Sequence, residues 1–335
     1  MLIPIKSICI ILKRKAKEIL RESLQTSGML FKIMVPLIVI TKILRELGAI
    51  EIISHWLEPC MHLVGLPGSM GLVWATGIVT NLYGALLVFV SLGSTPVLTI
   101  AQVTVLATLL LLAHALPIEL KIAQKTGIRI HWMFLIRIGG ALCLGMILNG
   151  VFSLGHLLQA PSHLLWSPAP EPEGWGWIWR EIKNLFTIYC VIMLLLILLD
   201  FLKWTGLIKG LNRLLTPVLN FLGIGYEATH LILIGMTLGL GYGGGLLIRE
   251  VHQGHVPSKD VFVVMVFMGL CHSLIEDTLL MTALGAHFSG ILLGRVLFAF
   301  IITLAFSQSI RKLHLDTFYR YWYHRQLTPK LEDVL

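Results

Sequence analysis

Apolar residues along this chain gather into eight runs, at positions 29–47, 69–92, 98–120, 132–154, 185–202, 228–248, 261–284 and 288–306, with polar or basic stretches between them. Each run is close to the ~20 residues that a helix needs to cross a bilayer. The pattern predicts an all-α polytopic integral membrane protein. Two runs weaken themselves at their own centres. LGLGYGGGLLIRE (238–250) holds five glycines, and each interior glycine costs a helix roughly 1 kcal/mol relative to alanine. The run 69–92 carries TNLYGA (80–85) at the equivalent place. Such a centre suits the turn of a re-entrant or broken helix, with its freed backbone facing protein or a water-filled cavity. Glycines that let neighbouring helices approach closely are the competing reading.

The second half of the chain repeats the first at a fixed offset. Without a gap, Gly48 aligns with Gly206, Pro59 with Pro217, Gly65 with Gly223, Gly77 with Gly235, His114 with His272, Gly127 with Gly285 and Arg137 with Arg295. LEPCMHLVGLP answers LTPVLNFLGIG, and AHALPIE answers CHSLIED. Chance apolar similarity aligns leucines, but it does not hold prolines, glycines, a histidine and an arginine in one register. The organisation predicted is a basic amphipathic segment (1–28), a first repeat (29–155), a Pro- and Trp-rich inter-repeat loop (156–183), a second repeat (184–310) and a basic aromatic tail (311–335).

Composition agrees with a membrane chain. Of 335 residues, 56% are hydrophobic and only 13% are charged, about half the charge of a soluble domain. The net charge of +8 falls between the apolar runs and at the tails, as topology signals do, so nucleic acid is not among the expected partners. The five cysteines show no CxxC spacing and indicate neither a disulfide framework nor a zinc site.

Eight full crossings would put Lys121, Lys125 and Arg129 on the opposite side from Lys13–Arg21, against the positive-inside rule. Three crossings plus one re-entrant segment per repeat place both basic groups, and both termini, on the cytoplasmic side. An odd number of crossings makes the repeats inverted, an architecture of secondary transporters. Eight full transmembrane helices is the alternative. Lys42 and Arg45, at the outer end of the first span, fit the first scheme poorly. The expected location is the bacterial cytoplasmic (inner) membrane.

Candidate chemistry concentrates after the glycine-weakened runs. His272 and Glu276 are four apart and would share one helix face, with Cys271 and Asp277 beside them. This set suits a divalent cation, with His272 and Glu276 as ligands, or a proton relay. His114 is the counterpart of His272, and Glu119 that of Asp277, although Pro117 breaks the pattern there. The competing reading gives the histidines hydrogen bonds to facing helices and leaves the acids in interfacial water. Arg295 offers a positive partner to a solute or to the acids. Arg137, only a few positions into its span, is expected to snorkel to the interface. Asn81, Tyr83, Gly241, Tyr242 and Gly243 fall at the expected turns, where they either contact a polar solute or cap the turn's own backbone. The basic residues of the N-terminal segment suit anionic lipid, and the tail RKLHLDTFYRYWYHRQ suits a headgroup anchor.

Two copies of a segment with a Gly-rich or Asn-containing centre (GIVTNLYGALLVFVS and GMTLGLGYGGGLLIRE), each followed by a span ending in a histidine and an acid (LLAHALPIE and GLCHSLIED), resemble the Gate, or nucleoside-recognition, domain. That domain occurs in spore maturation proteins A and B, in the membrane part of ferrous-iron transporter B proteins, and in relatives of concentrative nucleoside transporters. The resemblance spans residues 29 to 310. The chain has no GxxxxGK[ST] loop, so the iron transporters' GTPase is absent. The resemblance implies a transporter or permease for a nucleoside-like polar solute or a divalent cation. Asn81, Tyr83, His114, Glu119, Gly241, Tyr242, Gly243, His272, Glu276, Asp277 and Arg295 would line the site between the repeats. No cofactor is expected, beyond a proton or sodium as coupling ion or a divalent metal as substrate. The alternative is a non-transporting assembly factor of the spore-maturation type. The partners expected are the bilayer, the solute or metal ion, and a second copy or another membrane protein. An enzyme is not expected, because no HExxH and no nucleophile-and-base set is present.

Overall fold

A computed structural model describes residues 5–92, 97–162, 176–206 and 226–324, with scattered positions between 210 and 222. The described regular structure is helical throughout: α1 (Ile5–Glu46), α2 (Ala49–Leu63), α3 (Ser69–Val79), α4 (Leu82–Ser91), α5 (Ile100–Leu112), α6 (Leu116–Lys125), α7 (Ile130–Leu154), α8 (Gly176–Trp204), α9 (Tyr226–His252), α10 (Ser258–Leu270), α11 (Glu276–Ala283), α12 (Arg295–Lys312) and α13 (Leu315–Tyr321). A π-helical turn, Ser289–Gly294, leads into α12. Five stretches are long and apolar enough to cross a membrane: Ile19–Glu46, Ile100–Lys125, Ile130–Leu154, Gly176–Leu202 and Ser289–Lys312. This is an all-α polytopic membrane protein.

The three apolar runs missing from those five are all interrupted, and so is the run 98–120, which breaks between α5 and α6 inside the Ile100–Lys125 stretch. The run 69–92 divides into α3 and α4, joined at Thr80 and Asn81. The Asn81 side chain accepts the Gly84 N–H at 2.9 Å and so caps α4. In α9 the backbone leaves the helix at Gly239 (φ 85°, ψ 168°), a conformation open in practice only to glycine. The break therefore lies before the expected Gly241–Gly243, which start the second arm; nothing is described of the side chain of Tyr242. In a straight helix, residues eight apart would be separated by about 12 Å. Instead, a Cβ on Gly243 would stand 2.6 Å from the Gly235 Cα, so the two arms of α9 fold back on each other. The first half does the same, with Ala85 against Gly77. The third interrupted run, 261–284, breaks between α10 and α11.

Local geometry repeats at the offset seen in the sequence. α10 occupies the positions that answer α5, residue for residue. Left-handed backbone recurs at Gly48 and Gly206 (φ 66° and 77°), at Gly127 and Gly285 (99° and 92°), and at Ala115 and Ser273 (49° and 44°). The last pair matters most, because neither residue is glycine.

The α5–α6 stretch forms the interior of the molecule, with 78% of its apolar window buried, against 22% for α1 and 18% for α8. The last two run side by side at the edge and share a small core of Met34, Ile38, Leu87, Ile188 and Ile192. Lys42 and Arg45, hard to place from sequence, are partnered there. Lys42 pairs with Glu46 at 3.2 Å and stands over the Trp177 ring, and Arg45 donates to the Ser91 carbonyl. The C-terminal segment is more than a headgroup anchor. Phe318 and Tyr323 are fully buried, Trp322 stacks on Trp132 with centroids 3.8 Å apart, and the Tyr323 hydroxyl donates to the Thr126 carbonyl.

The fold-back sets a test. Gly243→Ala, forced against the backbone of Gly235, is expected to destabilise the protein by about 1–3 kcal/mol. Gly245→Ala has open space and should be neutral or stabilising by up to about 1 kcal/mol. Thermal unfolding in detergent compares the two, and equal behaviour would contradict the folded-back arrangement.

Candidate functional site

α5 and α10 both stop short inside the apolar interior, and each leaves the carbonyls of its last turn without helical partners. Side chains supply the missing donors, in the same way in both halves. The His114 ring nitrogen Nδ1 donates to the Leu110 carbonyl at 2.9 Å, and His272 Nδ1 donates to Met268 at 2.8 Å. Arg137 Nε donates to Leu112 at 2.8 Å, and Arg295 Nε to Leu270 at 3.0 Å. Arg295 Nη2 adds the carbonyls of His272, at 2.8 Å, and Leu111, at 3.4 Å. Cations at helix C-termini also oppose the negative end of the helix dipole. The backbone of the breaks is tied to the folded-back segments. Ala115 N–H donates to Gly77, and Ser273 and Leu274 donate to Gly235 and Met236.

These caps bring the ionisable groups together. His114 Nε2 and His272 Nε2 face each other at 3.4 Å. Glu119 Oε1 lies 3.3 Å from His272 Nε2 and 3.6 Å from His114 Nε2, while Glu119 Oε2 pairs with Arg137 Nη1. One ligand atom each from His114, His272 and Asp277 falls within 4.8 Å of the others. Tyr83 hydrogen-bonds the Glu276 carboxylate, so the first folded-back segment reaches the second half's acids. His114, Glu119, His272, Asp277, Arg137 and Arg295 are all buried. Among them, Asp277 Oδ2, Arg137 Nη2 and Arg295 Nη1 have no hydrogen-bond partner.

Most of the residues singled out from sequence therefore meet at one place: Tyr83, His114, Glu119, His272, Glu276, Asp277 and Arg295. Asn81 is used as a helix cap, and Gly243 is a packing position. Two expectations need correction. His272 and Glu276 do not share a helix face, because the chain is unwound between α10 and α11 with Ser273 left-handed. His272 instead meets Glu119 from the other half. Arg137 does not snorkel. It is 1% exposed and pairs with Glu119. Its alignment with Arg295 was the signal for this.

Removing one partner of a buried ion pair costs about 3–5 kcal/mol, since the other charge is left uncompensated. Arg137→Met is expected to destabilise by that amount. Adding Glu119→Gln should recover part of the loss by removing the stranded charge. Thermal unfolding of the double-mutant cycle in detergent decides, and strictly additive losses would refute the pairing.

No family model matches the chain, and no solved structure does. Its sequence is similar to the uncharacterized membrane protein YvoD of Bacillus subtilis (strain 168), with 28% identity over 297 residues, covering 88% of this chain and 94% of that protein. The similarity agrees with the helices in what both support: an integral membrane protein.

Proposed function

We propose that the protein is a secondary permease whose transport site is the cluster between the two repeats. The observation that carries this reading is the His114–His272 contact, where equivalent breaks of the two halves meet with buried acids and arginines around them. Ionisable groups at membrane depth are expensive and usually mark a pathway for ions or solutes. Interrupted helices meeting at a repeat interface are the corresponding feature of many transporters. In this reading the repeats are inverted, both termini face the cytoplasm, and the fold-backs at Thr80–Asn81 and Gly239 border the path. The resemblance to Gate domains supports a nucleoside-like solute or a divalent cation as substrate, with a proton or sodium as coupling ion. Arg295 Nη1 and Asp277 Oδ2, both buried and unpartnered, are the groups left to meet it.

Reconstitution into liposomes tests the proposal. With a proton or sodium gradient imposed, saturable uptake of at least one member of a panel of labelled nucleosides, nucleobases and divalent cations is expected. Asp277→Asn should lower that uptake by about tenfold or more, the effect of losing about 1.4 kcal/mol of interaction. Folded, reconstituted protein that moves nothing in the panel would overturn the proposal.

A further inference from the structure

We infer that His114, His272 and Glu119 form a binding site for a borderline divalent transition cation such as Zn2+, with Asp277 as fourth ligand. Each imidazole spends its Nδ1–H on a carbonyl of its own helix, which fixes the tautomer and leaves the Nε2 lone pair as the free position of the neutral ring. Metal-bound histidines are held this way, with the non-ligating nitrogen donating to a backbone carbonyl or carboxylate.

The spacing matches as well. Bonds of about 2.0–2.1 Å at tetrahedral angles place neighbouring ligand atoms about 3.3–3.4 Å apart. The three separations here are 3.4 Å for the histidine pair, and 3.3 Å and 3.6 Å from Glu119 Oε1 to the two rings. These atoms form one face of a tetrahedron. Without an ion, two lone pairs and a carboxylate oxygen would face one another at that distance with no hydrogen between them. Asp277, more than nine-tenths buried and with Oδ2 unpartnered, offers a carboxylate oxygen within 4.8 Å of one ring nitrogen of each histidine.

The second oxygen of Glu119 is held by Arg137, which orients the first toward the rings. Arg295 directs three of its contacts to main-chain carbonyls. Two imidazoles with carboxylates favour zinc and its neighbours over the all-oxygen sets that suit Mg2+ or Ca2+. That the ion is the cargo or coupling ion rests on the permease reading; the site itself does not.

The test is equilibrium binding by the full-length chain in detergent, stripped with a chelator and reloaded with Zn2+ or Co2+. About one Zn2+ per chain is expected by elemental analysis, with X-ray absorption showing two imidazoles and oxygen ligands. The Co2+ form should show the intense visible absorption of a tetrahedral site, bleached by Zn2+. His114→Gln and His272→Gln, checked for folding by size exclusion and circular dichroism, should each weaken binding by about 100-fold or more. The unmutated protein's spectra decide even if a variant fails to fold. Failure to retain Zn2+, an all-oxygen octahedral Co2+ spectrum, or undiminished binding by both folded variants would overturn the site. Zn2+ bound as expected, with no flux in liposomes, would sink the permease reading and leave the site standing. Absent binding with intact nucleoside uptake would do the reverse.

Discussion

Backbone left without helical partners in an apolar interior has to be satisfied, and the centre of this protein is organised by that requirement. α5 and α10 end where water is scarce, and each unpaired carbonyl there costs several kcal/mol. The donors that answer them are His114 and Arg137 in one half, and His272 and Arg295 in the other. The fold-backs are built on the same constraint. The carbonyls that end their first arms receive N–H groups from Ala115, Ser273 and Leu274.

Fold and site are thereby made from one set of side chains. A histidine that caps a helix through Nδ1 cannot turn its ring without losing the cap, so Nε2 is aimed by the main chain itself. The same holds for the arginines. Arg137 is fixed at Nε by Leu112 and along its fork by Glu119, which in turn fixes the carboxylate. Such a cluster is preorganised, because its supporting contacts are backbone contacts that already stabilise the fold.

Much of this could be read in the sequence. The ungapped register of Gly77 with Gly235 and His114 with His272 disclosed the duplication, and the segments TNLYGA and LGLGYGGGLLIRE marked two of the interrupted runs, though not the breaks within 98–120 and 261–284. What could not be read was the local conformation of the breaks. Nothing in CHSLIED marks Ser273 as left-handed, since that geometry is imposed by hydrogen bonds to Gly235 and Met236, far away along the chain. A helical face linking His272 to Glu276 was therefore expected where the chain is unwound. The break in α9 lies at Gly239 rather than among the later glycines, because only there does the backbone need a conformation closed to other residues. Arg137 was misjudged from its distance to the end of its span. Burial depends on what packs over a residue, and α10 covers it, with Gly269 against its side chain. The docked tail was hidden for a similar reason: aromatic residues beside cations suit lipid headgroups and a protein groove equally well.

Tyr83 has a further consequence. Its counterpart in the second half is Gly241, so a phenol hydroxyl meets the Glu276 carboxylate on one side of the cluster and no such group can do so on the other. Two identical chains meeting at a twofold axis would have to place the same residue on both sides. A single duplicated chain is released from that rule, and it can make the two sides of its centre chemically unlike while keeping the repeated local scaffold that holds them.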